Sequence, residues 1–281
     1  MGKYAAQAGE PGTLGFIFCC EISSRRDSFE MRVGLFIPCY VDQFFPQIGM
    51  ATLEILKQHK DLDIEFPMEQ TCCGQPMANT GCLDDTRPLA EKFVGLFHEF
   101  DAIVSPSGSC VSMVKNHYKG FFQSDERFEH IKSNTWELSE FLIDVLKVEQ
   151  LSHPFPHRVG LHSSCHGLRE LRLDACSERM GHQESKVRKL LAMVPEIEIV
   201  ELGRPDECCG FGGTFAVAEE GVSIMMGSDR IQDHLDAKAE VVTATDSSCL
   251  MHMQGIISRR KLPITTMHIA EIIAGRSPNP H

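Results

Sequence analysis

The strongest constraint on this chain is that it repeats itself. Thr71-Cys72-Cys73-Gly74 returns as Glu207-Cys208-Cys209-Gly210, and Ser107-Gly108-Ser109-Cys110 returns as Asp246-Ser247-Ser248-Cys249. Cys39, after the apolar run Val33–Ile37, is matched by Cys165 after Arg158–His162. Glu137–Leu142 resembles His268–Ile273. Position differences are 126, 136, 139 and 131 for Cys39, Cys72, Cys110 and Glu140. The order is kept and only the spacing drifts, as in a duplicated unit whose loops have changed length. The halves are residues 31–150 and 157–281, joined by Leu151-Ser152-His153-Pro154-Phe155-Pro156, whose prolines interrupt helix and strand. Regular patterning starts at Met31. Residues 1–30 therefore read as an N-terminal extension, disordered or the product of an upstream start codon.

Each half alternates strand and helix patterns. Val33–Ile37, Leu62–Phe66 and Ala102–Val104 are strand candidates in the first half; Val159–His162, Ile197–Leu202 and Glu240–Ala244 are those of the second. Between them lie helical stripes: Ile48 to Leu56, Pro88–Phe100, Lys186–Met193 and Val217–Leu235. Such alternation predicts an α/β protein of two repeated Rossmann-like halves, each with a parallel sheet. Binding sites in such sheets form outside the carboxyl ends of the strands. The cysteines fall there: Cys39, Cys110, Cys165 and Cys249 just after strands, and each CysCysGly about five residues after another.

Twelve cysteines in 281 residues are too few for a disulfide-stapled miniprotein, and a chain of this length can bury a core without staples. The run Leu14–Cys20 leads into Glu21, Arg25, Arg26 and Asp27 without a cleavage-site pattern, so no secretion signal is expected. No stretch approaches the roughly eighteen apolar residues of a transmembrane helix. The expected compartment is the reducing cytoplasm, where cysteines stay as thiols or bind metal. A net charge of −12 argues against broad binding to nucleic acid.

Four cysteines per half, Cys39, Cys72, Cys73, Cys110 and Cys165, Cys208, Cys209, Cys249, supply the thiolate set of tetrahedral zinc or an iron–sulfur cluster. Their wide spacing excludes zinc loops built on Cys-x2-Cys and fits a site assembled from three loops. Gly74 and Gly210 permit the positive φ of a tight turn that brings backbone close to a metal. Gly210-Phe211-Gly212-Gly213 lacks the third glycine of a dinucleotide loop. His162, His166, His252 and His268 invite roles as ligand, acid–base group, nearby donor or helix cap; His166 and His252 are selected as candidates beside the metal. Cys82 and Cys176 read as packing residues, and Cys19 and Cys20 receive no role.

At these residues the chain resembles the CCG-domain iron–sulfur proteins and, within them, the lactate utilisation protein A family. The matching stretches are Cys72-Cys73-Gly74-Gln75-Pro76, Ser105–Cys110, Cys208-Cys209-Gly210-Phe211-Gly212-Gly213-Thr214-Phe215, Ser248-Cys249-Leu250 and Met267–Glu271. The resemblance implies an iron–sulfur oxidoreductase subunit of an L-lactate oxidation system. It also implies two partners, a LutB-like ferredoxin-type iron–sulfur subunit and a LutC-like subunit. The broad CCG pattern ends in Cys-x-x-Cys, where this chain has Met113 and His252. With four thiols per half, a [4Fe-4S] cluster, one or two per chain, is the expected cofactor; zinc in one half is the alternative.

Lactate oxidation moves a hydride equivalent, whereas thiolate-bound clusters carry one electron at a time. No nicotinamide or flavin fingerprint is present. The expected role is electron relay, or a cluster that binds L-lactate or a related 2-hydroxy acid, within a larger complex. Two rivals stay open: a metal-free thiol–disulfide oxidoreductase and a zinc-stapled structural or interaction module.

Overall fold

The computed structural model describes residues 31–178 and 184–278. Residues 1–30, with Cys19 and Cys20, lie outside the described residues.

The first half forms a parallel sheet from β1 (Met31–Leu35), β2 (Leu62–Glu65), β3 (Ala102–Ser105) and β4 (Thr135–Glu137), in the order β2-β1-β3-β4. The second half repeats it with β5 (Arg158–Leu161), β6 (Glu198–Ile199), β7 (Val241–Ala244) and β8 (Thr265–His268), in the order β6-β5-β7-β8. Equivalent registers hold the pairs together: Val33 opposite Ala102, and Val159 opposite Val241. The central strands β3 (AIVS) and β7 (VVTA) are buried along their whole length, as expected of parallel strands covered by helices on both faces. In both sheets the strand order reverses beside the first strand, between β1 and β3 and between β5 and β7. That is the switch point at which doubly wound sheets bind ligands.

The α/β architecture and parallel pairing agree with the sequence reading. β4 and β8 were not anticipated; their sequences, TWE and TTMH, carry no run of apolar residues to mark a buried strand. The predicted strand Ile197–Leu202 shrinks to Glu198–Ile199. The helix predicted from Pro88 starts earlier and spans Leu83–Phe97, with Pro88 inside it, and the helix predicted over Val217–Leu235 is broken into Phe215–Ala218 and Glu220–Asp236.

The halves pack reciprocally. The helix after β1, Pro46–Lys57, lies against the helix after β8, Ile269–Ile273. The helix Lys186–Leu191, after β5, lies against Leu138–Glu140 after β4. This is the self-complementary pattern of a twofold interface. Ile48, Ile55, Leu138, Val187, Leu190, Ile269 and Ile273 belong to one hydrophobic cluster that runs through both halves. Ion pairs flank it: Lys186 reaches Glu140 (3.0 Å) and Asp144, and Arg276 reaches Glu54 (2.7 Å). Among the described residues, no helix is long and apolar enough to cross a membrane.

Candidate metal centre

Three strand ends in each half deliver the thiols. In the first half Cys39 opens a short helix, Cys39–Phe44, directly after β1, Cys72 and Cys73 follow β2, and Cys110 sits in the helix Gly108–Ser112 after β3. Their sulfurs form close pairs, Cys39–Cys72 at 3.6 Å and Cys73–Cys110 at 3.4 Å, with no disulfide. Cys165, Cys208, Cys209 and Cys249 take the equivalent places after β5, β6 and β7.

The CysCysGly turn has the same construction twice. Gly74 has φ +84° and Gly210 φ +86°. The backbone N–H of Gly74 donates to Cys72 Sγ at 3.3 Å, and that of Gly210 to Cys208 Sγ at 3.3 Å. A Cβ on Gly210 would come within 2.6 Å of the Ser223 carbonyl oxygen, and one on Gly74 within 2.9 Å of Thr86 Cγ2. The turns are also braced from outside. Tyr118 donates its hydroxyl to the Cys73 carbonyl (2.8 Å), and Ser223 donates to the Gly210 carbonyl (2.8 Å).

Crowding divides the thiols electrostatically. Hydrogen bonds from Cys39 and then Cys73, helped by the Gly74 amide, hold the Cys72 thiol well below its ordinary range. Cys165, then Cys209, with the Gly210 amide, do the same for Cys208. The neighbours are pushed the other way. Cys39 is raised by its bond to Cys72 and by burial, Cys73 by Cys110 and Cys72, Cys165 by Cys208, and Cys209 by Cys208 and Cys249. Sulfurs this close cannot all ionise without a cation among them, because like charges raise each other's pKa. A metal would remove that repulsion and release the remaining protons. Converging soft donors, amide-supported turns and partly buried walls all fit a thiolate-bound metal group.

All eight cysteines line one cavity of about 270 Å³. The sequence reading placed a cysteine site at one edge of each half; the twofold packing turns those edges toward each other across shared space. Tyr40 and Phe211, one from each half, meet at its wall with ring centroids 6.0 Å apart. Gln75 of the first half donates to Nε2 of His166 of the second at 3.1 Å, and also to the Ser109 carbonyl (3.3 Å). His166 thus lies in the cavity wall. His252 lies behind the second turn, its Nε2–H on the Ser223 carbonyl at 3.2 Å. His268 is a helix cap, its Nδ1 accepting from Ala270 N–H (3.1 Å). Cys176 is buried, but Cys82 is exposed and so is not a packing residue; its carbonyl accepts from Thr86 Oγ1 (2.9 Å) at the start of a helix.

Sequence reasoning missed Asp246 and Gln75, which tie the cysteine loops of the two halves together. Nothing in either half alone signals a contact made only when the halves meet.

Fold and site together define a class: a duplicated α/β protein with two cysteine quartets facing one cavity. The family model for the cysteine-rich CCG domain matches twice, over residues 33–115 and 159–254. "Lactate utilization protein A" of an Exiguobacterium species is 39% identical over 248 residues, covering 86% of this chain and 96% of that protein. The protein of the same name from Geobacillus thermodenitrificans is 37% identical over 250 residues, covering 88% of this chain and all of that protein. Among solved structures, a hypothetical protein from Helicobacter pylori aligns with a TM-score of 0.53 at 10% identity. That alignment covers 88% of this chain and 49% of the other, and shows likeness of fold. The chain belongs to the lactate utilization protein A family of CCG cysteine-rich domain proteins.

Proposed function

We propose that residues 31–150 and 157–281 act as two CCG domains of a cytoplasmic iron–sulfur oxidoreductase subunit that takes part in oxidising L-lactate to pyruvate. The observation that carries this reading is the shared cavity: two thiol quartets, one from each half, open onto the same small space. Cys39, Cys72, Cys73 and Cys110 would hold one cluster, and Cys165, Cys208, Cys209 and Cys249 the other, of the [4Fe-4S] kind. When bound, such a cluster supplies one-electron transfer.

The chain's own residues do the rest. Gln75 donates to His166 Nε2 and so fixes the orientation of that ring in the cavity wall. Tyr40 and Phe211 narrow the cavity and exclude water from its wall. Among the described residues, no arginine or lysine lines the cavity. A hydroxy-acid carboxylate would meet polar groups such as Gln75, Asn79, His166 and the serines, beside the Asp246 carboxylate. This supports a relay subunit over a complete dehydrogenase. Apolar side chains stand in solvent near the cavity: Val217 in its lining and Phe44 tilted against Tyr40 (ring centroids 5.8 Å apart). They suit docking of the expected partners, a LutB-like ferredoxin-type subunit and a LutC-like subunit.

The low-lying Cys72 and Cys208 thiols favour a second reading, metal-free thiol–disulfide exchange. One experiment separates the two. Iron-loaded chain is mixed anaerobically with L-lactate, with and without its partner subunits, and followed by EPR. The relay reading expects a reduced-cluster signal only with partners present. Lactate turnover by the chain alone, or a chain that cycles between dithiol and disulfide without metal, would overturn it.

A further inference from the structure

The repeat allows each half to be read against the other, and behind the cysteines they differ. Phe36 and His162 share a position after the first strand, separated by the same 126 residues as Cys39 and Cys165. The helices Leu83–Phe97 and Glu220–Asp236 correspond at an offset of 137. Phe97 faces Gly34 as His234 faces Gly160, and Thr86 faces Gly74 as Ser223 faces Gly210. The same offset pairs Phe93 with Arg230.

The first quartet is therefore backed by an aromatic wall, with Phe36–Phe93 centroids at 4.9 Å and Phe36–Phe97 at 5.8 Å. At the same three positions the second half carries His162, Arg230 and His234, all at most 1% exposed. These polar groups satisfy one another only in part. Arg230 donates through Nε to His234 Nε2 (3.3 Å) and through Nη1 to Asp233 (3.1 Å) and the Arg204 carbonyl. Both ring nitrogens of His162, Nδ1 of His234 and Nη2 of Arg230 have no partner among the described residues. Each buried orphan costs about 1–3 kcal/mol, so a group of them in one place points to a missing partner.

The position of His162 says what that partner is. A ring nitrogen of His162 and the sulfurs of Cys209 and Cys249 all lie within 4.8 Å of one another. His252, three residues after Cys249, has its Nε2–H committed to Ser223. We propose that His162 is a direct ligand of the second-half metal group, beside Cys209 and Cys249, while the first-half group is held by thiolates only. The bond is a dative one from the ring lone pair and requires the neutral imidazole. Phe36 can supply no such bond, so the two sites are chemically unequal.

This inference rests on the iron–sulfur reading above, and its test separates the two. The full chain is reconstituted anaerobically with iron and sulfide, once with ordinary histidine and once with 15N-histidine, and examined by pulsed EPR after reduction. The expected result is a nitrogen coupling of directly bound imidazole that changes with the isotope. The coupling vanishes in His162→Phe, a residue the fold already accommodates at position 36, and in His162→Cys, which restores a ligand without nitrogen. A cluster bound by Cys165, Cys208, Cys209 and Cys249 without histidine coupling, with only the weak coupling of a hydrogen-bonded ring, or with coupling that survives His162→Phe, overturns the assignment and leaves the functional reading standing. Absence of iron and sulfide overturns the functional reading and this assignment with it.

Discussion

The backbone N–H of Ser109 donates to the Asp246 carboxylate across the two halves, at 2.7 Å. Ser109 precedes Cys110, and Asp246 lies three residues before Cys249, so this bond couples one cysteine loop to the other. Next to it, Gly108 N–H donates to the Thr245 carbonyl at 3.2 Å. Asp246 is 2% exposed, which makes the contact a charge-assisted bond in a region shielded from water.

Asp246→Ala leaves the Ser109 N–H buried without its acceptor. We expect a loss of about 2–3 kcal/mol in denaturant unfolding, together with weaker metal retention in both halves. Asp246→Asn keeps an acceptor oxygen and loses less. Equal losses in the two variants would show that packing, and not this bond, is what matters.

Gly210→Ala forces a Cβ against the Ser223 carbonyl in a left-handed backbone, whereas Gly74→Ala meets a threonine methyl. Both lower metal content, and Gly210→Ala does so more severely, because a backbone carbonyl cannot rotate away as a side chain can. Metal analysis of the two purified variants checks the order.

The charge on Arg230 is buried and is coupled electrostatically to Cys209. A positive charge there favours the more negative, reduced state of whatever group the second quartet holds. Arg230→Met therefore lowers the midpoint potential of the second-half site and leaves the first unchanged. A redox titration monitored by EPR reads both; a common shift would contradict the separation of the two sites.

His268 is fully buried as a helix cap, and desolvation pushes its pKa down to about 4. The folded-state value is below that of the unfolded chain. The stability it contributes is therefore complete above pH about 6.5 and is lost as pH falls toward 4. The expected cost over that window is on the order of 3 kcal/mol at most. His268→Asn, which retains a capping side chain, has a shallower acid limb in unfolding curves taken from pH about 7 down to 4. Parallel curves would remove His268 as the titrating group.

Much of this molecule can be read from its sequence because duplication doubles every signal. The eight cysteines, their place after strands, and three strands of each sheet follow from repeated blocks and apolar runs. β4 and β8 escape because Thr135–Glu137 and Thr265–His268 hold no run of apolar residues to mark a strand. The facing of the two halves escapes for another reason. Ile48 and Ile55 on one helix and Ile269 and Ile273 on its partner look like any core stripe until packing reveals that they cover each other. His162 was visible as one of several histidines. Only comparison with Phe36, and its pair of unpartnered nitrogens, separates it from the rest.

The most direct test of the account is metal analysis of the anaerobically purified chain beside a Cys72→Ser/Cys73→Ser variant and a Cys208→Ser/Cys209→Ser variant. The account predicts iron and acid-labile sulfide in equal amounts, about half as much in each variant, and an EPR signal after reduction in both. Zinc with neither iron nor sulfide in the unmodified chain would contradict it.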